Sequence, residues 1–232
     1  MKRKVLITAM LFLLALLPVV SMVNADVTPP IYPTDDSTVA DGSWADHVFN
    51  TGPDWYILHC RADDAPQLAR GYLQFDLTGV DPDMICGATL YLYCNAATIP
   101  PDEMANDVCE TDDGWDENSI TWNNAPAVGN VLATTMVDGT GLYYAWSSDA
   151  LKAYVKEAAL TDNIVSFVAK LTVEDITKPS IYHRDFDSKE GDNDPYLVIQ
   201  LIPQCVPEFG VATVAITSLG TTLMLTLKRL RK

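Results

Sequence analysis

Ten consecutive residues, Asp185 to Asp194, carry five carboxylates and one amide around a single glycine, Gly191. Calcium takes six to eight oxygens and tolerates irregular loops, so Asp185, Asp187, Glu190, Asp192 and Asp194 form the candidate metal set. The spacing is not that of an EF-hand, and the plain alternative is a solvated acidic loop ahead of the last strand. A second acidic group, Asp112, Asp113, Asp116 and Glu117, flanks Trp115. There the chemistry expected is capping of backbone N–H groups by Glu117 rather than metal binding.

Sugar binding asks for other side chains: aromatic rings that stack on sugar CH faces, and guanidinium forks that pair with carboxylate or sulfate. The candidate ligand-binding residues are Arg70, Tyr72, Tyr182, His183, Arg184 and Lys189; Trp44, Trp55, Tyr56 and Tyr182 lie in or beside expected loops, and Arg61 joins Arg70, His183, Arg184 and Lys189 in the body's sparse basic set. Arg70 and Arg184 have a second reading, as partners of nearby acids. No catalytic constellation emerges. His47, His59 and His183 lack metal-motif spacing, and there is no nucleophile elbow, phosphate loop or zinc-type cysteine cluster. The expectation is a protein that is not an enzyme.

These residues must be held by strands. Leu68 to Leu77 alternates Leu73, Phe75 and Leu77 against Tyr72, Gln74 and Asp76; Ala88 to Asn95 alternates Leu90, Leu92 and Cys94 against Tyr91 and Tyr93. Further strands are predicted at Trp55–Arg61, Val108–Thr111, Val128–Val137, Leu142–Trp146, Ile164–Val173, Ser180–Phe186 and Tyr196–Ile202. The period changes once. Ser147-Ser148-Asp149 offers a cap, and Leu151, Tyr154, Val155 and Ala158 follow at helical spacing. Many short strands with one short helix predict an all-β fold, a jelly-roll-type β-sandwich with a single core. Asp26 to about Asn50, rich in acids and turn-formers, is expected to be irregular.

Gly114 to Pro126 reads Gly-Trp-Asp-Glu-Asn-Ser-Ile-Thr-Trp-Asn-Asn-Ala-Pro. It is too apolar for a free loop and too punctuated for a helix. It is predicted to cross the sheet with Trp115 and Trp122 pinned into core, Glu117 capping and Pro126 closing the segment.

The two ends differ from the body. Residues 1–25 have a basic start, an apolar run from Val5 to Val20 and a small-residue cleavage site, the pattern of a secretory signal. Residues 26–203 form the expected domain. Residues 204–232 form a linker and an apolar tail from Gly210 to Leu227 that ends in Lys228, Arg229, Arg231 and Lys232. The signal and tail hold seven of the 15 Lys and Arg and one of the 31 Asp and Glu, so the body carries about −22. That charge excludes nucleic acid as a partner, because phosphates require a basic face. Export makes disulfides permissible among Cys60, Cys86, Cys94, Cys109 and Cys205. Cys86 and Cys94 share one strand and cannot bond to each other. Of the two pairings left among the first four, Cys94–Cys109 with Cys60–Cys86 is favoured, since the first closes a loop of about 15 residues. The alternative is buried free thiols.

Four segments together resemble a DNRLRE-type domain, a β-sandwich grouped with carbohydrate-binding modules of family ninety-six. They are Arg70-Gly-Tyr-Leu-Gln-Phe-Asp76-Leu; Ile85-Cys-Gly-Ala-Thr-Leu-Tyr-Leu92; Trp115 to Pro126; and Ser188-Lys-Glu190 followed by Pro195-Tyr-Leu-Val. The resemblance covers roughly Thr34 to Leu201, and relatives of this kind occur in disaggregatase-related and other surface proteins of methanogenic archaea. Pro207-Glu208-Phe209, the apolar span and the basic terminus look like an archaeal PEF-CTERM sorting signal. That resemblance implies cutting by an archaeosortase and attachment to a lipid anchor; a retained tail anchor in the membrane is the alternative. The resulting expectation is an extracellular, surface-attached module that binds cell-surface or matrix polysaccharide without altering it. The competing expectation is a structural envelope protein assembled through calcium, without glycan specificity.

Overall fold

The computed structural model describes residues 26–50, 57–63, 67–98, 105–174 and 182–202. The strands are β1 (Asp26–Val27), β2 (Asp35–Ala40), β3 (Ile57–Asp63), β4 (Gln67–Asp76), β5 (Ile85–Thr98) and β6 (Ala105–Glu110). They continue with β7 (Val131–Met136), β8 (Leu142–Ser147), β9 (Ile164–Leu171), β10 (Tyr182–Asp187) and β11 (Tyr196–Leu201), and one helix, α1 (Asp149–Leu160), precedes β9. They form one curled antiparallel sheet in the order β1-β11-β5-β10-β3-β4-β9-β6-β7, with β2 added to β4 and β8 to β5. This is the all-β, jelly-roll-like sandwich expected. Both β10 and β11 pair with the same strand, β5, so the acidic turn between them interrupts one continuous edge.

Alternation along the strands sets the main core. Leu73 and Phe75 of β4, Leu90 and Leu92 of β5, Trp146, Phe167 and Phe186 pack there with essentially no exposure. Helix α1 closes it with Leu151, Val155 and Ala158, as the helical spacing predicts. The helix starts at Ser148, whose Oγ accepts the Leu151 N–H at 2.9 Å.

The opposite face of β4 is covered as well, which the single-core expectation did not allow for. Val39, Tyr72, Cys109, Ile120 and Val168 make a second cluster, with Trp115 and Trp122 packed against it. Gly114 to Pro126 is the lid of that cluster. Its polar residues fold it back on itself. Asp116 Oδ1 accepts the Asn118 N–H at 2.6 Å, and Asn124 Oδ1 accepts the Thr121 N–H at 2.6 Å. Trp115 Nε1 donates to Ser166 Oγ at 3.2 Å, and Tyr72 donates to the Pro126 carbonyl at 2.8 Å.

The favoured disulfides are not formed: Cys60, Cys86, Cys94 and Cys109 are free thiols. Cys94 lies in the main core and Cys109 in the second cluster, across the sheet from it. Cys60 is level with Ala97, since both pair with Arg184, which puts it eleven residues along β5 from Cys86, about 36 Å. Burial pushes Cys94 and Cys109 up to about 11, so both stay protonated at neutral pH. Cys205, the signal, Pro207, Glu208, Phe209 and the tail lie outside the described residues.

Candidate functional site

Between β2 and β3 the surface folds into a groove of about 340 Å³, lined by Thr38, Ala40, Trp44, Phe49, His59, Arg61 and Ala69. β2 supplies Thr38 and Ala40 along one side. β3 supplies His59 and Arg61 on the face opposite its core residues Leu58, Cys60 and Ala62. The two strands are tied where the His59 N–H donates to Thr38 Oγ1 at 2.9 Å.

The aromatic lip comes from the loop after β2. Asp41 anchors its start, since Asp41 Oδ1 accepts the Leu68 N–H at 2.6 Å. Gly42, at φ 62°, opens the short 3-10 turn Gly42–Trp44. Trp44, His47 and Phe49 then pack together, with His47 edge-on to Trp44 at 5.1 Å and to Phe49 at 4.7 Å. Trp44 stays 44% exposed. The Gly114–Pro126 lid holds this loop from behind. Asn123 donates through its backbone N–H to Ala45 O at 3.2 Å and through Nδ2 to Asp46 at 2.7 Å, while Asn50 Nδ2 donates to Asn118 at 2.8 Å.

Below the lip, the Asp185 carboxylate bridges two imidazoles. Its Oδ1 is 2.8 Å from His59 Nδ1 and its Oδ2 is 3.5 Å from His183 Nε2. Burial lowers the pKa of His183 more than Asp185 raises it, so this ring is neutral at pH 7 and hydrogen-bonds without carrying charge. The Asp185 contact orients the His59 ring at the groove wall.

Of the six predicted ligand residues, among those whose side chains are described, the fold brings only His183 close to this groove. Arg70 forms a bidentate pair with Glu174, 2.8 Å in both contacts, and its guanidinium lies 4.7 Å over the Trp122 ring. Tyr72 is buried in the second cluster. Arg184 is 2% exposed and turned into the main core, where Nε and Nη2 donate to Val137 O at 3.0 and 2.8 Å. Strand alternation is the reason: even-numbered Arg184 and Phe186 point inward, odd-numbered His183 and Asp185 outward. The Tyr182 side chain, Trp55 and Tyr56 lie outside the described residues.

The five acids of the predicted calcium loop do not converge either. Asp187 accepts from Asn95 and, at 2.9 Å, from Asn193, while Asp185 serves the two histidines. Asp194 offers its carbonyl to the Tyr143 hydroxyl at 3.2 Å. Asp192 is exposed. Glu190 instead turns toward Asp36 and Glu117, the one set of three acids among the described residues with ligand oxygens within 4.8 Å. The Lys189 ammonium sits among them, 2.8 Å from both Glu117 and Glu190, and the Lys189 N–H donates to Asp36 at 2.7 Å. Burial raises the Asp36 pKa well above the carboxylate range. Glu117 also caps the Asp36 N–H at 3.2 Å, the type of role its sequence context implied.

A second hollow of about 480 Å³ lies beside the lid, lined by Asp113, Trp115, Asp116 and Ile120 among others. Its lining holds no cation, and Asp116 is spent on its own turn. The smaller groove therefore has the better chemistry for sugar: an exposed indole, an imidazole and a guanidinium. Trp44 was legible as a loop-side aromatic and Arg61 as one of the body's few basic residues. His59 and Phe49 were missed, because only the β2–β3 approach brings them together.

The family model for carbohydrate-binding module family 96 matches residues 27–201. A gellan lyase from Bacillus sp is 27% identical over 199 residues. That match covers 78% of this chain and 7% of the relative, so the chain spans a small part of that protein's length.

Proposed function

The chain belongs to carbohydrate-binding module family 96, and from that premise we propose that it binds polysaccharide in the groove between β2 and β3. Trp44 stacks on a sugar ring, Arg61 pairs with a carboxylate or a pair of hydroxyls, and His59, oriented by Asp185, hydrogen-bonds beside it. The observation that carries the reading is Trp44, a 44% exposed indole braced by His47 and Phe49 at the mouth of the groove. Trp44, His47 and Phe49 form a contiguous aromatic cluster beside polar groove residues, the kind of surface that marks a ligand site.

The module acts without catalysis. The support for this is the family itself, a family of binding modules. Gellan, on which the Bacillus relative is named to act, is the first polymer to try. The sequence supports export through residues 1–25 and attachment of this DNRLRE-like domain to the outer cell surface through the PEF-CTERM-like tail after archaeosortase cutting. Mass spectrometry of the secreted protein tests that half, with a mature start at Asp26 expected. Calcium in this proposal has a secondary place, because the Lys189 ammonium already stands among the three acids that converge and pairs with two of them, Glu117 and Glu190.

Affinity electrophoresis in gels containing gellan and other acidic polysaccharides tests the binding. Retardation is expected with or without chelator. It should weaken about tenfold in Trp44→Ala and in Arg61→Gln. Mobility identical in every polymer and in plain gel would overturn the proposal.

A further inference from the structure

The outward face of β5 carries a second aromatic surface that the groove does not use. Tyr91 faces Tyr196 across the β5–β11 pairing, and Tyr93 faces Tyr143 across β5–β8. The Tyr91 and Tyr196 rings stack at 4.6 Å and 16°. Tyr143 bridges the two pairs, 5.2 Å from Tyr93 and 5.2 Å from Tyr196. Four rings from three strands thus form one connected patch over residues whose neighbours Leu90 and Leu92 point into the core.

Cross-strand packing explains why the rings are ordered, but it leaves Tyr143 37% exposed. A rigid array of tyrosines offers amphipathic contact area with little ordering left to lose on binding. The surroundings fix the charge of what it accepts. Asp194 bonds the Tyr143 hydroxyl through its carbonyl, and the Asp187 and Asp194 carboxylates act on that hydroxyl electrostatically. An acidic sugar would be repelled there, whereas neutral hydroxyls find acceptors. A second copy of this chain is disfavoured by the same charge, about −22 per body.

The patch lies within reach of a polymer chain seated in the groove. His183, paired with Arg61 at the groove, lies opposite Thr98, seven residues along β5 from Tyr91, or about 23 Å. We propose that the tyrosine patch is a second sugar-binding face. It takes the neutral stretches of the same polysaccharide chain whose charged or most polar unit sits at Trp44 and Arg61. This rests on the polysaccharide-binding reading above and narrows its ligand to polymers with both neutral and acidic sugars.

The test uses the full chain, kept in solution with a non-ionic detergent, in affinity gels. One panel holds neutral polymers (hydroxyethylcellulose, galactomannan and xyloglucan); the other gel holds polygalacturonate. The double variant Tyr143→Ala/Tyr196→Ala should lose roughly five- to tenfold in retention on at least one neutral polymer and stay within about twofold on polygalacturonate. Arg61→Gln should do the reverse. Tyr143→Phe/Tyr196→Phe keeps the rings and should keep neutral-polymer binding, which separates stacking from a folding defect. Three outcomes overturn the proposal: no neutral polymer retards the parent chain, the alanine variant binds as the parent does, or sedimentation shows a dimer that the alanine variant dissociates. Unchanged polygalacturonate retention in Arg61→Gln would instead sink the groove reading and leave the tyrosine result standing.

Discussion

Two tryptophan-bearing segments lie back to back on this sheet and do opposite things with their rings. In the Gly114–Pro126 lid, the Trp115 N–H is bonded to Ser166, Trp115 packs edge-on to Tyr72 at 5.8 Å, and Trp122 lies under the Arg70 guanidinium. In the loop after β2, Trp44 packs against His47 and Phe49 and remains 44% exposed. The lid spends its aromatic surface on folding, and the loop keeps it for something outside the molecule. The two are coupled, since Asn118 and Asn123 of the lid hold Asn50, Ala45 and Asp46 of the loop. A tryptophan's role here follows from whether its ring faces and N–H are already used.

The sharpest way to break the contrast is to truncate one ring from each segment. Trp115→Ala should cost about 2–4 kcal/mol in urea unfolding, because it opens the second cluster. Trp44→Ala should leave stability within about 0.5–1 kcal/mol while weakening polysaccharide retention about tenfold. Equal stability losses at the two sites would erase the distinction.

Arg70 sharpens it further, because sequence placed this residue in the ligand set and the fold placed it over Trp122. Arg70→Gln should lower stability by about 1–2 kcal/mol through its partly buried pair with Glu174. A double-mutant cycle with Glu174→Gln should show coupling, and polysaccharide retention should be that of the parent.

The smallest effect concerns the Lys189 network that joins the lid to β2. The folded-state pKa of Asp36 is raised, chiefly by burial. Such a group favours folding below its unfolded value, and that contribution is lost as pH rises through the raised folded value. Asp36→Asn removes the penalty and can still accept the Lys189 N–H. Its stability at neutral pH should be at or above the parent's, with a flatter profile across the weakly acidic range. A steeper loss of stability toward neutral pH would contradict this.

The strands that alternate cleanly were readable, as was the capped helix, because each carries its own period. β2 was not: Asp35-Asp36-Ser37-Thr38 has poor strand composition and pairs only because β4 offers an edge and Lys189 meets Asp36. The second core was hidden for a related reason, since Tyr72 and Gln74 look like a solvent face until the lid lies over them. Arg184 and the cysteine pairs failed on register. The inward turn of Arg184 shows only in its shared period with Phe186, against the charge of its side chain, and nothing local says that Cys60 stands level with Ala97. The groove was half legible, in Trp44 and Arg61, and the approach of β2 to β3 that unites them with His59 is a long-range product of the sheet.

The division of labour between lid and loop can be watched directly through the indole N–H signals of a nitrogen-15-labelled chain titrated with gellan oligosaccharides. The expected result is a saturable shift of the Trp44 signal while those of Trp115 and the buried Trp146 stay in place. Movement of the Trp115 or Trp122 signals with Trp44 unmoved would put the ligand on the lid and contradict the account.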